Sequence, residues 1–153
     1  MENVTIEIDK SDVLEEVKRM TSYAGSKMGD DGKSFERIST TDHDAEMLGQ
    51  FMTDACDGIT EALKRFIISV VNSDDGNFVL GLELSGSYDT NLTDSLTSNL
   101  KGYMKNCVVS KWYKLANKNE AGEYEKEALV QLNEALSKLF YRKKPTRKKP
   151  TKK

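Results

Sequence analysis

Two long apolar stripes at helical spacing, separated by one short polar break, constrain this chain more than any other feature. Leu92, Leu96, Leu100, Tyr103 and Cys107 recur every three or four residues. Val108, Val109, Trp112, Leu115 and Ala116 then carry the stripe around a wider arc, so this helix is expected to touch neighbours on two sides. Asn91 is expected to cap it, with Asp94 at its N3 position. The polar run NKNEAG ends it. Leu129, Leu132, Leu136 and Leu139 form a second stripe over roughly Glu120–Tyr141, widened by Phe140. A short connection between two long helices favours an antiparallel pair.

The upstream half reads as a mixture. Val4–Ile8 alternates and predicts a short strand. Ser11 offers an N-cap oxygen, and Val13, Leu14, Val17, Met20 and Ala24 follow at helical spacing to about Met28. Gly29 to Thr41 reads as a polar loop. Thr41 or Asp42 is expected to cap the next helix, whose stripe is Leu48, Met52, Ala55, Ile59, Leu63 and Phe66. The β-branched run FIISVV, the turn signal NSDDGN and the alternating FVLGLEL predict a β-hairpin over about 66–84, with a loop of roughly four to six residues. The alternative keeps Phe66–Val71 in the preceding helix and leaves one strand. SGSYDTN is a loop. The expected class is therefore α+β, mainly α: four helices, a short N-terminal strand and an inserted hairpin over residues 1–141, followed by an extended arm over residues 142–153.

That arm, RKKPTRKKPTKK, holds eight Lys or Arg and no acidic residue. The rest of the chain has 15 basic residues against 25 acidic ones, a charge near −10, so the total of −2 hides a strong segregation. Pro145 and Pro150 forbid a continuous helix, and like charges repel, so an isolated arm is expected to be extended. Three readings are open. The arm threads along an acidic neighbouring subunit, grips phosphates in a salt-sensitive way, or only solubilises the chain. The acidic body would repel a duplex laid across it, so any DNA contact would reach away from the body. No run approaches the roughly 18 apolar residues of a membrane span. The N-terminus, MENVTIEIDK, is unlike a secretion signal. Cys56 and Cys107 each lie in an amphipathic pattern and read as reduced core residues.

Sites of chemistry are sparse. The one histidine, His43, lies between Asp42 and Asp44 at a helix start, where consecutive side chains diverge and no second nitrogen or sulfur ligand is near in sequence. GDDGKS lacks the glycine spacing of a phosphate loop and follows a helix rather than a strand. NSDDGN lacks the spaced ligands and terminal Glu of a calcium loop. No catalytic, metal or cofactor site is assigned, and the expectation is not an enzyme. Trp112, Tyr113, Tyr124, Phe140 and Tyr141 gather aromatic mass in the C-terminal half; most of it reads as core between helices.

Lys111–Tyr113 within SKWYKLANKNEAGEYEKEA, Glu120–Glu127, and Leu139–Arg147 within LFYRKKPTR resemble the C-terminal portion of small virion proteins of tailed bacteriophages of gut Bacteroidales, the crAss-like group. SYDTNLTDSL (Ser87–Leu96) is similar to the same group. The arrangement also resembles head–tail connector (adaptor) proteins, over about the last 65 residues. The resemblance implies a structural subunit made in the host cytoplasm and built into the portal–tail region of the virion. It implies a closed homo-oligomeric ring, about twelve-fold, contacting the portal or adjacent tail-ring proteins. Arg142, Lys143, Lys144, Arg147, Lys148, Lys149, Lys152 and Lys153 would then bind the neighbour, with Trp112, Phe140, Tyr141 and Pro145 at the arm's root. The alternatives are a tail-completion or stopper protein in the same assembly, and a nucleic-acid-binding accessory protein using the basic tail.

Overall fold

The computed structural model describes residues 1–27, 44–73, 76–116 and 118–145. His43, the loop expected over 29–41, the caps expected at Thr41 and Asp42, and the arm beyond Pro145 lie outside the described residues. In chain order the elements are β1 (Glu2–Asp9), α1 (Lys10–Lys27), α2 (Ala45–Leu63), β2 (Ile67–Asn72), β3 (Asn77–Leu84), a 3-10 turn (Thr90–Leu92), α3 (Thr93–Ala116) and α4 (Lys118–Leu139). The fold is α+β and mainly helical, with four helices and a three-stranded antiparallel sheet of order β1-β3-β2 among the described residues.

The hairpin forms as the sequence predicts, and the reading that kept Phe66–Val71 helical does not hold. α2 stops at Leu63 because β-branched residues follow, and Phe66 lies between helix and strand. β3 is the central strand. Its Phe78, Leu80, Leu82 and Leu84 are buried on one face, and the register sets Val4 opposite Leu82, Ile6 opposite Leu80 and Ile8 opposite Phe78. This period-two face forms one wall of the core. Leu48, Met52, Ala55, Cys56, Ile59 and Leu63 of α2 and Val13 and Val17 of α1 pack into the same cluster.

α3 lies at the centre. It touches α1, α2, α4 and β1, so its apolar surface is not one stripe. Leu96, Leu100, Met104 and Val108 are buried on one arc, and Asn99, Asn106, Ser110 and Tyr113 on another. The buried amide and hydroxyl side chains of Asn99, Asn106 and Ser110 on the second arc are satisfied, whereas the buried Tyr113 hydroxyl has no hydrogen-bond partner among the described residues. Asn99 Nδ2 donates to Gln131 Oε1 at 2.8 Å and Glu134 Oε2 at 2.9 Å, and Ser110 Oγ donates to the Ala121 carbonyl at 3.1 Å. These bonds, with Lys138 Nζ donating to Ser95 Oγ, fix α3 and α4 as an antiparallel pair.

Several details differ from the sequence reading. α4 buries Ala121, Ala128, Ala135 and Leu139; Leu132 and Leu136 are only partly covered, and Leu129 is 55% exposed. The alanines recur every seven residues, and their small side chains let α4 approach α3 closely; at Gly102 an added Cβ would already lie 3.1 Å from Gln131. Leu129 follows Ala128 by one residue, about 100° around the helix, and so turns outward. Leu115, expected on the α3 stripe, is exposed. The caps shift as well. Asp9 precedes α1 and accepts from the Ser11 backbone N–H at 2.9 Å, so the carboxylate and not the Ser11 hydroxyl ends the helix. Asp89 rather than Asn91 caps the turn before α3, accepting from Asn91 N–H at 3.1 Å.

Candidate functional site

The C-terminal arm begins where α4 runs out beside the loop between β3 and α3. The last turn of α4 tightens, with Phe140 N–H donating to the Ser137 carbonyl at 3.2 Å and Tyr141 N–H to Lys138 at 3.1 Å. The chain then straightens. Arg142 forms an isolated antiparallel bridge with Tyr88, and Lys143 N–H donates to the Ser87 carbonyl at 2.8 Å. Tyr88 is itself fully buried, its hydroxyl 3.3 Å from Thr93 Oγ1 at the start of α3. The loop that receives the arm is therefore pinned to the body by a buried aromatic ring. Arg142, Lys143, Lys144 and Pro145 are exposed, so the strap holds the backbone and leaves the cations facing solvent.

Phe140 and Tyr141 stand at this root and are both exposed. Phe140 meets Phe66 edge-on, ring centroids 5.4 Å apart at 75°, which ties the end of α4 to the start of β2. Trp112 does not join them. Ser95 lies level with Lys138, and Ser110 with Ala121. Trp112 is therefore at the other end of the helix pair, some 17 residues or about 25 Å along α3. It is a buried core residue there, and the grouping of Trp112 with Phe140 and Tyr141 as one root is corrected on that ground. Arg147, Lys148, Lys149, Lys152 and Lys153 lie outside the described residues. Sequence reasoning missed Phe66, Ser87 and Tyr88 as arm-holding residues. The available signal was Tyr88 itself, a large ring in an otherwise small and polar loop.

Three ion pairs among the described residues join different helices. Lys111 Nζ meets Asp54 Oδ2 at 2.8 Å, and Lys105 meets Glu16 at 3.6 Å. The Lys111 hydrogen bond holds the Asp54 carboxyl below its usual range against a smaller desolvation effect. A cleft of about 170 Å³ is lined by Tyr103, Cys107, Lys111, Lys114, Glu125 and Leu129. Burial pushes the Cys107 thiol up, and Lys114 is held 3.8 Å from Glu125, so the thiol stays protonated and poorly nucleophilic. Both cysteines are free; burial raises Cys56 to about 11. Among the described residues no group of three or more His, Cys, Asp or Glu could hold a metal ion, and no helix is long and apolar enough to cross a membrane.

No protein-family model, no curated protein and no solved structure matches the chain.

Proposed function

We propose that this chain is a structural subunit of a phage head–tail connector ring, whose basic arm docks on a neighbouring protein of the portal–tail assembly. The observation that carries the reading is the strapped root. Lys143 N–H on the Ser87 carbonyl, with the Tyr88–Arg142 bridge, sets the direction in which the arm leaves the body. A solubilising tail needs no such strap. A docking arm gains from one, because fixing the exit lowers the ordering cost of binding.

The charge arrangement supports the same reading. The arm's eight cations cannot be neutralised within it, and the body it leaves is acidic. An acidic neighbour, including another copy, offers the complementary field. Each exposed pair contributes only about 0–1 kcal/mol. Repetition around a ring turns such weak contacts into firm attachment through effective concentration. The antiparallel α3–α4 pair supplies a rigid body for this role.

The test is removal of residues 146–153, which spares the strap. The truncated chain is expected to fold with an unchanged circular dichroism spectrum and to fail to enter particles. Normal incorporation would overturn the proposal. Incorporation with loss of packaged DNA would replace it with the nucleic-acid reading.

A further inference from the structure

The two edges of the sheet differ in chemistry. β1 carries Glu2, Glu7 and Asp9, the kind of charge that discourages a further strand from joining an edge. β2 carries none: Ile67–Asn72 reads IISVVN, without charge or proline, and with β-branched residues at four of its six positions. These residues face both ways. Val70 pairs with Leu80 on the helix side of the sheet and Val71 with Val79 on the solvent side, while Ile68 sits at a register shift. Ile68, Val70 and Val71 are 57%, 41% and 54% exposed. No described strand pairs with the outer edge of β2. Phe140, exposed and packed on Phe66 beside the start of β2, lengthens the apolar patch.

We propose that β2 is a dimerisation edge, pairing antiparallel with β2 of a second copy to join the two sheets into one. An edge strand's outward N–H and C=O groups are matched by another extended segment. The absence of charge on both faces selects a neutral strand over a charged one. Within this chain the other sheet edge is acidic and the arm is cationic, so either would set charge against Ile68, Val70 or Val71. β2 itself is the segment that matches in length, neutrality and β-branched content. Pairing identical edges makes an isologous contact that closes at two copies. The inference goes beyond the connector reading and concerns the free chain, because a two-fold contact is not one that neighbours around a cyclic ring make; it stands whether or not the chain enters a particle.

The experiment is sedimentation velocity on the full chain from low micromolar to several hundred micromolar, with amide hydrogen exchange at both ends of that range. The wild type is expected to dimerise, and the Ile68–Val71 amides to gain protection as concentration rises. Val71→Lys, at an exposed site, is expected to weaken the dimer by about tenfold or more. Leu129→Lys, on the exposed face of α4, is expected to leave it intact. A monomer throughout the range overturns the proposal. So does a dimer that Val71→Lys leaves unchanged, or one that Leu129→Lys dissolves instead. If Val71→Lys fails to fold, the wild-type exchange pattern decides: concentration-independent exchange at Ile68–Val71 overturns it.

Discussion

Replacing Ala135 with leucine tests how α4 is rotated against the body. Ala135 is fully buried, the last of the alanine series that meets α3. Leucine adds three carbons to a contact already close enough that Gly102 has no room for a Cβ without moving Gln131. Overpacking of this kind costs about 1–3 kcal/mol, and nothing offsets it, because leucine and alanine differ little in helix propensity. For a chain of this size, each kcal/mol lowers the melting temperature by about 2–4 °C, so the expected loss is about 2–12 °C. Leu129→Ala is the companion variant. The leucine pattern alone makes it a core truncation costing about 2–5 kcal/mol. The structure exposes over half of Leu129, so the change should stay within about 0.5 kcal/mol. Thermal and guanidinium denaturation followed by circular dichroism measures both. A neutral Ala135→Leu beside a strongly destabilising Leu129→Ala would refute this rotation of α4.

Two glycines of α2 should respond to alanine with opposite signs. At Gly49 an added Cβ meets nothing within 4 Å, so Gly49→Ala should stabilise by about 0.5–1 kcal/mol through helix propensity. At Gly58 the Cβ would collide with the Tyr103 hydroxyl, and displacing a packed ring costs about 1–3 kcal/mol, so the propensity gain is outweighed and the melting temperature falls. The Asp54–Lys111 pair gives a pH signature: a carboxyl held low in the fold contributes stability above the ordinary carboxylate range near 4 and loses it as pH falls through the lower folded value. Asp54→Asn should therefore cost at most about 1 kcal/mol at neutral pH, since both side chains are more than a third exposed, and less at pH about 3; a penalty that grows on acidification would contradict the pairing.

The elements were legible wherever local periodicity and burial agree. β3 declares itself because alternate residues face one core, and the hairpin turn and short α3–α4 connection leave few topologies. α4 was misread because two stripes compete along it. Its leucines are conspicuous, but close packing selects the alanines, and sequence hydrophobicity does not encode interhelical distance. Met104 was passed over and Leu115 included for a related reason: α3 is enclosed on two sides, so periodicity alone cannot assign its faces. At the candidate site the cations were plain in the sequence. The strap that aims them was not, because the Lys143–Ser87 and Arg142–Tyr88 contacts join backbones more than fifty residues apart and leave no mark on side-chain pattern. The separation of Trp112 from Phe140 left no such mark either, because it follows from the antiparallel packing of α3 and α4.

The account rests on an arm that leaves the body in a fixed direction and finds its partner beyond Pro145. A reconstruction of the assembled phage particle tests this most directly, by locating the chain and tracing its final residues. The account predicts the chain in the portal–tail region, with Arg147, Lys148 and Lys149 ordered against acidic side chains of an adjacent protein. A chain held there by its helices and sheet alone, with those residues touching nothing, would contradict it.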